Sequence, residues 1–123
     1  MILVDTSVWI THLRAADDRL AVLLEAREVL GHPFVTGEVA LGNLPRRDVV
    51  LGELRDLPRA AVATDEEVLD LIEREALFGR GIGYVDAHLL AAVRLTATAK
   101  LWTADRRLQT VAAELGLAAM LPH

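Results

Sequence analysis

Short apolar runs alternate along this chain with longer stretches of helical periodicity. Ile2 to Val4 is apolar throughout, which predicts a strand covered on both faces. Thr6 to about Leu13, with Val8, Trp9, Ile10 and Leu13, suits a helix that Asp5 or Thr6 can cap. A polar break precedes a second helix over roughly Asp18 to Glu28, with Leu20, Leu23 and Leu24 on one face. Gly31-His32-Pro33 is turn chemistry, and Phe34-Val35-Thr36 reads as a second short strand. From Gly37 the pattern is helical until Asn43-Leu44-Pro45. Another amphipathic helix then runs from about Arg46 to Asp56, carrying Val50, Leu54 and Leu57, and Pro58 ends it.

Ala60 to Ala63 is the predicted third strand. Thr64-Asp65-Glu66-Glu67 has the form of a capping box, opening a helix with Val68, Leu69, Ile72 and Ala76 on one side. Gly79-Arg80-Gly81-Ile82-Gly83 is a loop. Tyr84 to about Ala97 follows as a helix burying Val85, Leu89, Ala92 and Val93. Leu101 to Thr103 is a fourth strand, and Leu108, Val111, Ala112 and Leu115 mark a last helix that Gly116 stops. Ala118 to Leu121 suits an edge strand. No repeat or linker interrupts the series, so residues 1–123 read as one α/β domain.

Strands alternating with helices imply a parallel sheet with right-handed crossovers. Ligands of open parallel sheets bind beyond the carboxyl ends of the strands. Asp5 and Asp105 follow strands directly, and Glu38 follows one closely, so all three are expected on one face.

Composition changes the picture further. Hydrophobic residues make up 53% and aromatics only 4%, so the core has to be built from Leu, Val and Ala. Thirteen Lys and Arg against eighteen Asp and Glu leave a net charge of −5. Grip on nucleic acid through phosphate neutralisation usually takes a basic protein, so such a role here needs local patches or metal ions. The negative surplus favours a basic protein partner. Zero cysteines exclude disulfides and thiolate metal sites and fit a cytoplasmic setting. No apolar run approaches the roughly 18 residues of a membrane span, and the N-terminal residues lack the basic region of a signal peptide.

Each acid has a plain reading beside a functional one. Asp5 and Asp105 suit helix caps, Asp105 also suits a pair with Arg106, and Glu38 suits a helix dipole. Asp86 lies beside Val85 and Leu89 near a buried stripe, where a lone carboxylate is costly unless paired or metal-bound. Acids brought together repel one another unless a cation neutralises them, and Mg²⁺ or Mn²⁺ suits an all-oxygen site. Such a cation activates water against a phosphodiester and inverts the local field, which lets an acidic protein act on RNA or DNA. The hydroxyls of Thr6, Ser7 and Thr103 are placed to orient waters or carboxylates, or simply to cap. The glycines at 79, 81 and 83 do not form a nucleotide-binding motif. The four histidines are too scattered for a zinc site, Trp9 and Trp102 read as core, and Arg80 and Arg106 are candidates for a phosphate contact.

Four segments together resemble the PIN-domain family, and within it the VapC-type toxins. They are Ile2-Leu3-Val4-Asp5-Thr6-Ser7-Val8-Trp9-Ile10, Thr36-Gly37-Glu38, Tyr84-Val85-Asp86-Ala87-His88-Leu89-Leu90-Ala91, and Leu101-Trp102-Thr103-Ala104-Asp105-Arg106-Arg107-Leu108. The resemblance implies a three-layer α/β/α fold around a mostly parallel sheet of four to five strands. It implies a Mg²⁺- or Mn²⁺-dependent endoribonuclease whose acidic quartet is Asp5, Glu38, Asp86 and Asp105, with Thr103 as supporting hydroxyl. It also implies a homodimer held in check by a cognate VapB-type antitoxin. One departure stands out: many relatives carry an Asp two residues after the fourth acid, where this chain has Arg107.

Two other classes are open to the sequence. Phosphoryl transfer to an aspartate is disfavoured, because Asp5-Thr6-Ser7 lacks a D-x-D pair and Lys100 opens a strand rather than ending one. A non-catalytic module that grips a protein or RNA partner is the main alternative.

Overall fold

A computed structural model describes residues 1–121 and, within them, three strands and seven helices. β1 (Ile2–Val4) lies centrally, with β2 (Val29–Leu30) and β3 (Lys100–Trp102) parallel to it on either side. Ile2 pairs with Val29 and Leu3 with Leu30. On the other edge Leu3 pairs with Leu101 and Val4 with Trp102. Neighbouring Leu3 and Val4 point to opposite faces, and both are fully buried, so helices cover the sheet on both sides.

The chain leaves β1 through α1 (Thr6–Arg14) and α2 (Asp18–Glu25) to reach β2. It then passes through α3 (Pro33–Ala40), α4 (Arg47–Asp56), α5 (Asp65–Arg74) and α6 (Tyr84–Leu95) before entering β3 on the opposite edge. α7 (Arg106–Glu114) follows. The order β2-β1-β3 puts the reversal of winding between β1 and β3, where open α/β sheets form their ligand crevice.

Two expected strands are reduced to single contacts. The segment before Ala60 touches the sheet through one parallel bridge, Gly31 to Arg59, and the Ala118 segment through another, Leu101 to Ala118. Among the described residues the regular ladder therefore has three strands, where four to five are expected. Pro58 directly precedes the first of these runs, and a proline withholds the N–H that a ladder needs.

The expected strand at Phe34–Thr36 is a correction: these residues form the first half of α3. Pro33 occupies the opening turn of the helix, where its missing N–H costs nothing, and His32 caps it through Nδ1, which accepts from the Phe34 N–H at 3.1 Å. Val35 and Val39, four apart, supply the buried stripe. The second strand lies earlier, because α2 stops at Glu25 and Arg27 turns left-handed at φ 56°, freeing Val29 and Leu30 to extend. The capping box at Thr64 and Glu67 forms in both directions, at 3.1 and 2.9 Å. Leu69, expected on the buried side of α5, is exposed; Val68 and Leu71 carry that face instead. Trp9 and Trp102 are core residues, and Arg19 lies over the Trp102 ring at 5.0 Å.

Candidate active site at the carboxyl ends of β1 and β3

β1 and β3 end side by side, and the Asp5 N–H continues their ladder by donating to the Trp102 carbonyl at 2.9 Å. Asp5 is consequently delivered to the switch point and is nearly buried, at 6% exposure. A buried carboxylate needs donors. Oδ1 accepts from the Thr6 N–H at 2.7 Å, and Oδ2 accepts from the hydroxyls of Thr103 at 2.7 Å and Ser7 at 2.9 Å. Those hydroxyls are themselves held: Thr103 Oγ1 accepts from the Asp105 N–H, and Ser7 Oγ from the Ala104 N–H. Asp5 caps α1 and is also the centre of a network tying both strand ends together.

Asp105 caps α7, with Oδ1 accepting from the Arg107 and Leu108 N–H groups at 2.9 and 3.1 Å. Capping engages one oxygen only, and the residue is exposed. Asp86, in the first turn of α6, reaches back with Oδ2 to the Gly83 N–H at 2.9 Å. This is half of a capping box, since Gly83 has no side chain to complete it. Burial pushes the Asp86 carboxyl above its ordinary range; the Gly83 N–H opposes this, and the charges of Asp5, Asp105 and Glu38 reinforce it.

Glu38 reaches the group from an unexpected direction. It sits in the last turn of α3 rather than after a strand, so the idea that it complements a helix N-terminus fails there. Its Oε1 accepts from the Thr6 hydroxyl at 2.6 Å, which links α3 to the start of α1. All four predicted acids and Thr103 thus gather around the switch point, and Ser7 and Thr6 join them as hydroxyl supports.

The donor set is carboxylate and hydroxyl oxygen, the chemistry of a hard cation. Among the described residues no three Asp, Glu or His side chains stand close enough to enclose an ion by themselves. Spread carboxylates still suit Mg²⁺, which keeps several of its waters and takes only one or two protein ligands directly. The residues therefore fit a hydrated divalent cation better than a dehydrated cage.

Arg107 does not enter the acid group with its side chain. That side chain packs on Gly81, where a Cβ would fall 2.7 Å from Nη1 and 2.8 Å from Cδ. Arg80, a candidate phosphate contact, is instead paired with Glu114 at 2.8 Å.

Sequence reasoning missed a layer beside the acids. His88, placed on another side of α6 from Asp86, is buried, with Nε2 3.3 Å from Asp65 Oδ1 and Nδ1 without a partner among the described residues. His32 is buried too, and its Nε2 has none either. Burial, the nearby His88 and the charge of Arg59 bring its pKa down to about 4. Phe34 and Tyr84 stand against His88 from two sides, each with ring centroids 4.7 Å away. Recognising Pro33 as the first residue of a helix would have exposed this layer, because it puts Phe34 one turn before Glu38 on the same face.

Comparison with known proteins gives the family. The PIN domain family model matches residues 2–114. Two curated relatives, both called Ribonuclease VapC32 and both from strains of Mycobacterium tuberculosis, are each 55% identical over 118 residues. The alignments cover 96% of this chain and 95% of each relative.

Proposed function

This chain belongs to the PIN-domain family, among its VapC-type ribonucleases, and from that premise we propose that it is a divalent-metal-dependent endoribonuclease acting as the toxin of a toxin–antitoxin pair. The observation that carries the reading is the convergence of Asp5, Glu38, Asp86 and Asp105 from four separate segments. The Thr6 hydroxyl ties Glu38 to the start of α1 beside Asp5, and the Asp86 carboxyl, raised chiefly by burial, is raised further by the charges of Asp5, Asp105 and Glu38. Acids that sense one another suit a site that a cation neutralises.

Asp5, Glu38, Asp86 and Asp105 would hold Mg²⁺ or Mn²⁺. The bound cation would supply an activated water and neutralise charge on the phosphoryl oxygens. The protein's own contribution is preorganisation. Thr103 and Ser7 fix the Asp5 carboxylate, Thr6 fixes Glu38, and the Gly83 N–H fixes Asp86. Asp86 Oδ1 and Glu38 Oε2 accept no hydrogen bond from any described residue, so they remain open to waters or substrate hydroxyls. The surplus negative charge matches a basic antitoxin segment laid over the site, and a homodimer accompanies this reading.

Cleavage of a mixed RNA pool by antitoxin-free protein, in Mg²⁺, Mn²⁺ and EDTA, tests the proposal. Discrete metal-dependent fragments, absent with Asp5→Asn, are expected. Folded protein that cuts nothing with either metal would overturn it. That result would favour a non-catalytic module, the reading to which the spread of the acids lends weight.

A further inference from the structure

The net charge of −5 poses a problem for any protein that handles RNA. Cations at the acids can hold the phosphate being cut, but the neighbouring nucleotides need another source of affinity. Stacking of bases on aromatic rings is independent of protein charge and is the usual way unpaired nucleotides are held.

The chain has five aromatic residues, two Trp, two Phe and one Tyr. Both tryptophans are buried, whereas Phe34 is 37% exposed, Tyr84 46% and Phe78 64%. Phe34 and Tyr84 belong to the segments that carry the acids. Phe34 lies four residues before Glu38 on α3, which places the two side chains on one helix face roughly 6 Å apart at Cβ. Tyr84, in the first turn of α6, lies on the opposite side of that helix from Asp86 and shares the face of His88. Phe34 is therefore the ring that adjoins an acid, and Tyr84 extends the surface from it.

Both rings are held in place. The buried His88 imidazole stands between them, at interplanar angles of 65° to Phe34 and 89° to Tyr84. His32 supports Phe34 from behind at 5.2 Å, and the Tyr84 hydroxyl donates to Asp65 Oδ1 at 2.8 Å. The rings are fixed on their inner sides and open outward. A preordered aromatic surface loses little entropy on binding.

We infer that Phe34 and Tyr84, braced by His88, form a stacking platform for an unpaired RNA base next to the phosphate that the acids address. The inference rests on the ribonuclease reading for its substrate class and adds where a neighbouring base is held. It selects single-stranded RNA, because a base inside a duplex has no free face to offer.

The test uses a set of short single-stranded RNAs, each carrying 2-aminopurine at a different position. Stacking on a ring quenches its fluorescence. In the Asp5→Asn background, which leaves the RNA whole, at least one labelled position should be quenched on binding. Phe34→Leu and Tyr84→Leu should each weaken binding by roughly tenfold and remove the quenching. Tyr84→Phe keeps the ring and loses only the hydroxyl bond to Asp65, so it should bind almost as the parent does. Thermal melts of each variant show whether the fold is retained.

Equal affinity and quenching in the folded leucine variants would overturn the platform. So would a loss in Tyr84→Phe as large as that in Tyr84→Leu. A changed oligomeric state with unchanged RNA affinity would also overturn it and assign the rings to contact between copies. The parent's cleavage is assayed separately. Cleavage with ring-indifferent binding sinks the platform alone; ring-dependent quenching by a parent that cuts nothing sinks the nuclease reading alone.

Discussion

The acids around the switch point are held in two different ways. Asp5 sits at the end of a central strand, buried, with three donors on its two oxygens and its hydroxyl partners themselves held by backbone N–H groups. Glu38 and Asp86 stand on helices, more exposed, each fixed by one hydrogen bond on one oxygen. The strand-held half has little freedom, whereas the helix-held half keeps oxygens open and depends on where α3 and α6 sit. Rigidity at the anchor and openness at the rim would suit the proposed role, in which the site admits a hydrated ion and a long substrate.

The largest expected effect comes at the anchor. Asp5→Asn should lower cleavage by roughly a thousandfold or more, since a metal contributes several kcal/mol to the transition state. Its melting temperature should change little, because the amide still accepts at one atom and meets adaptable hydroxyls at the other. Cleavage assays paired with thermal melts measure both. A variant that cuts normally would show that the buried acid only caps α1.

Acid should weaken the helix-held half first. His32 caps α3 and has a folded pKa of about 4, because burial first, and then His88 and Arg59, oppose its charge, against about 6.5 in the unfolded chain. A depressed histidine pKa means that the unfolded state binds more protons between those values. Stability is therefore full above about pH 6.5 and falls as pH drops toward 4, by on the order of 3 kcal/mol. Asn at this position can still cap α3 through its side-chain oxygen, so His32→Asn should flatten that slope. Denaturation curves at pH 7 and pH 4.5 decide the matter, and an unchanged slope would remove His32 as its source.

A pair of hydroxyl deletions sharpens the contrast. Thr103→Val takes one of two hydroxyl donors from a buried carboxylate and should cost about 2 kcal/mol, read by urea denaturation. Thr6→Val frees the exposed Glu38 and should cost under about 1 kcal/mol while lowering cleavage several-fold. Equal stability losses in the two variants would erase the distinction between the halves.

The same division governs what could be read in advance. Asp5 and Asp105 are expected just after strands, with Thr103 at the end of one, and the structure keeps strands at Ile2–Val4 and Lys100–Trp102. Glu38 is expected at the start of a helix, and the structure puts it in the last turn of one. Phe34-Val35-Thr36 has β-branched strand composition, and only tertiary packing of Val35 and Val39 makes it helical. The strands expected at Ala60 and Ala118 reach the sheet through a single bridge each, a difference of hydrogen-bond geometry that composition does not encode. The histidine and aromatic layer was invisible for another reason. Tyr84 and His88 are four apart on α6, but no spacing relates them to His32, Phe34 and Asp65, which come from other elements.

The bond from Thr103 to Asp5 joins positions 98 residues apart. Ribosomes deliver a chain from its N-terminus, so Asp5 waits without its partner while the 98 residues up to Thr103 are made. Until the segment around residues 103 to 105 leaves the exit tunnel, the nascent polypeptide lacks half of the crevice.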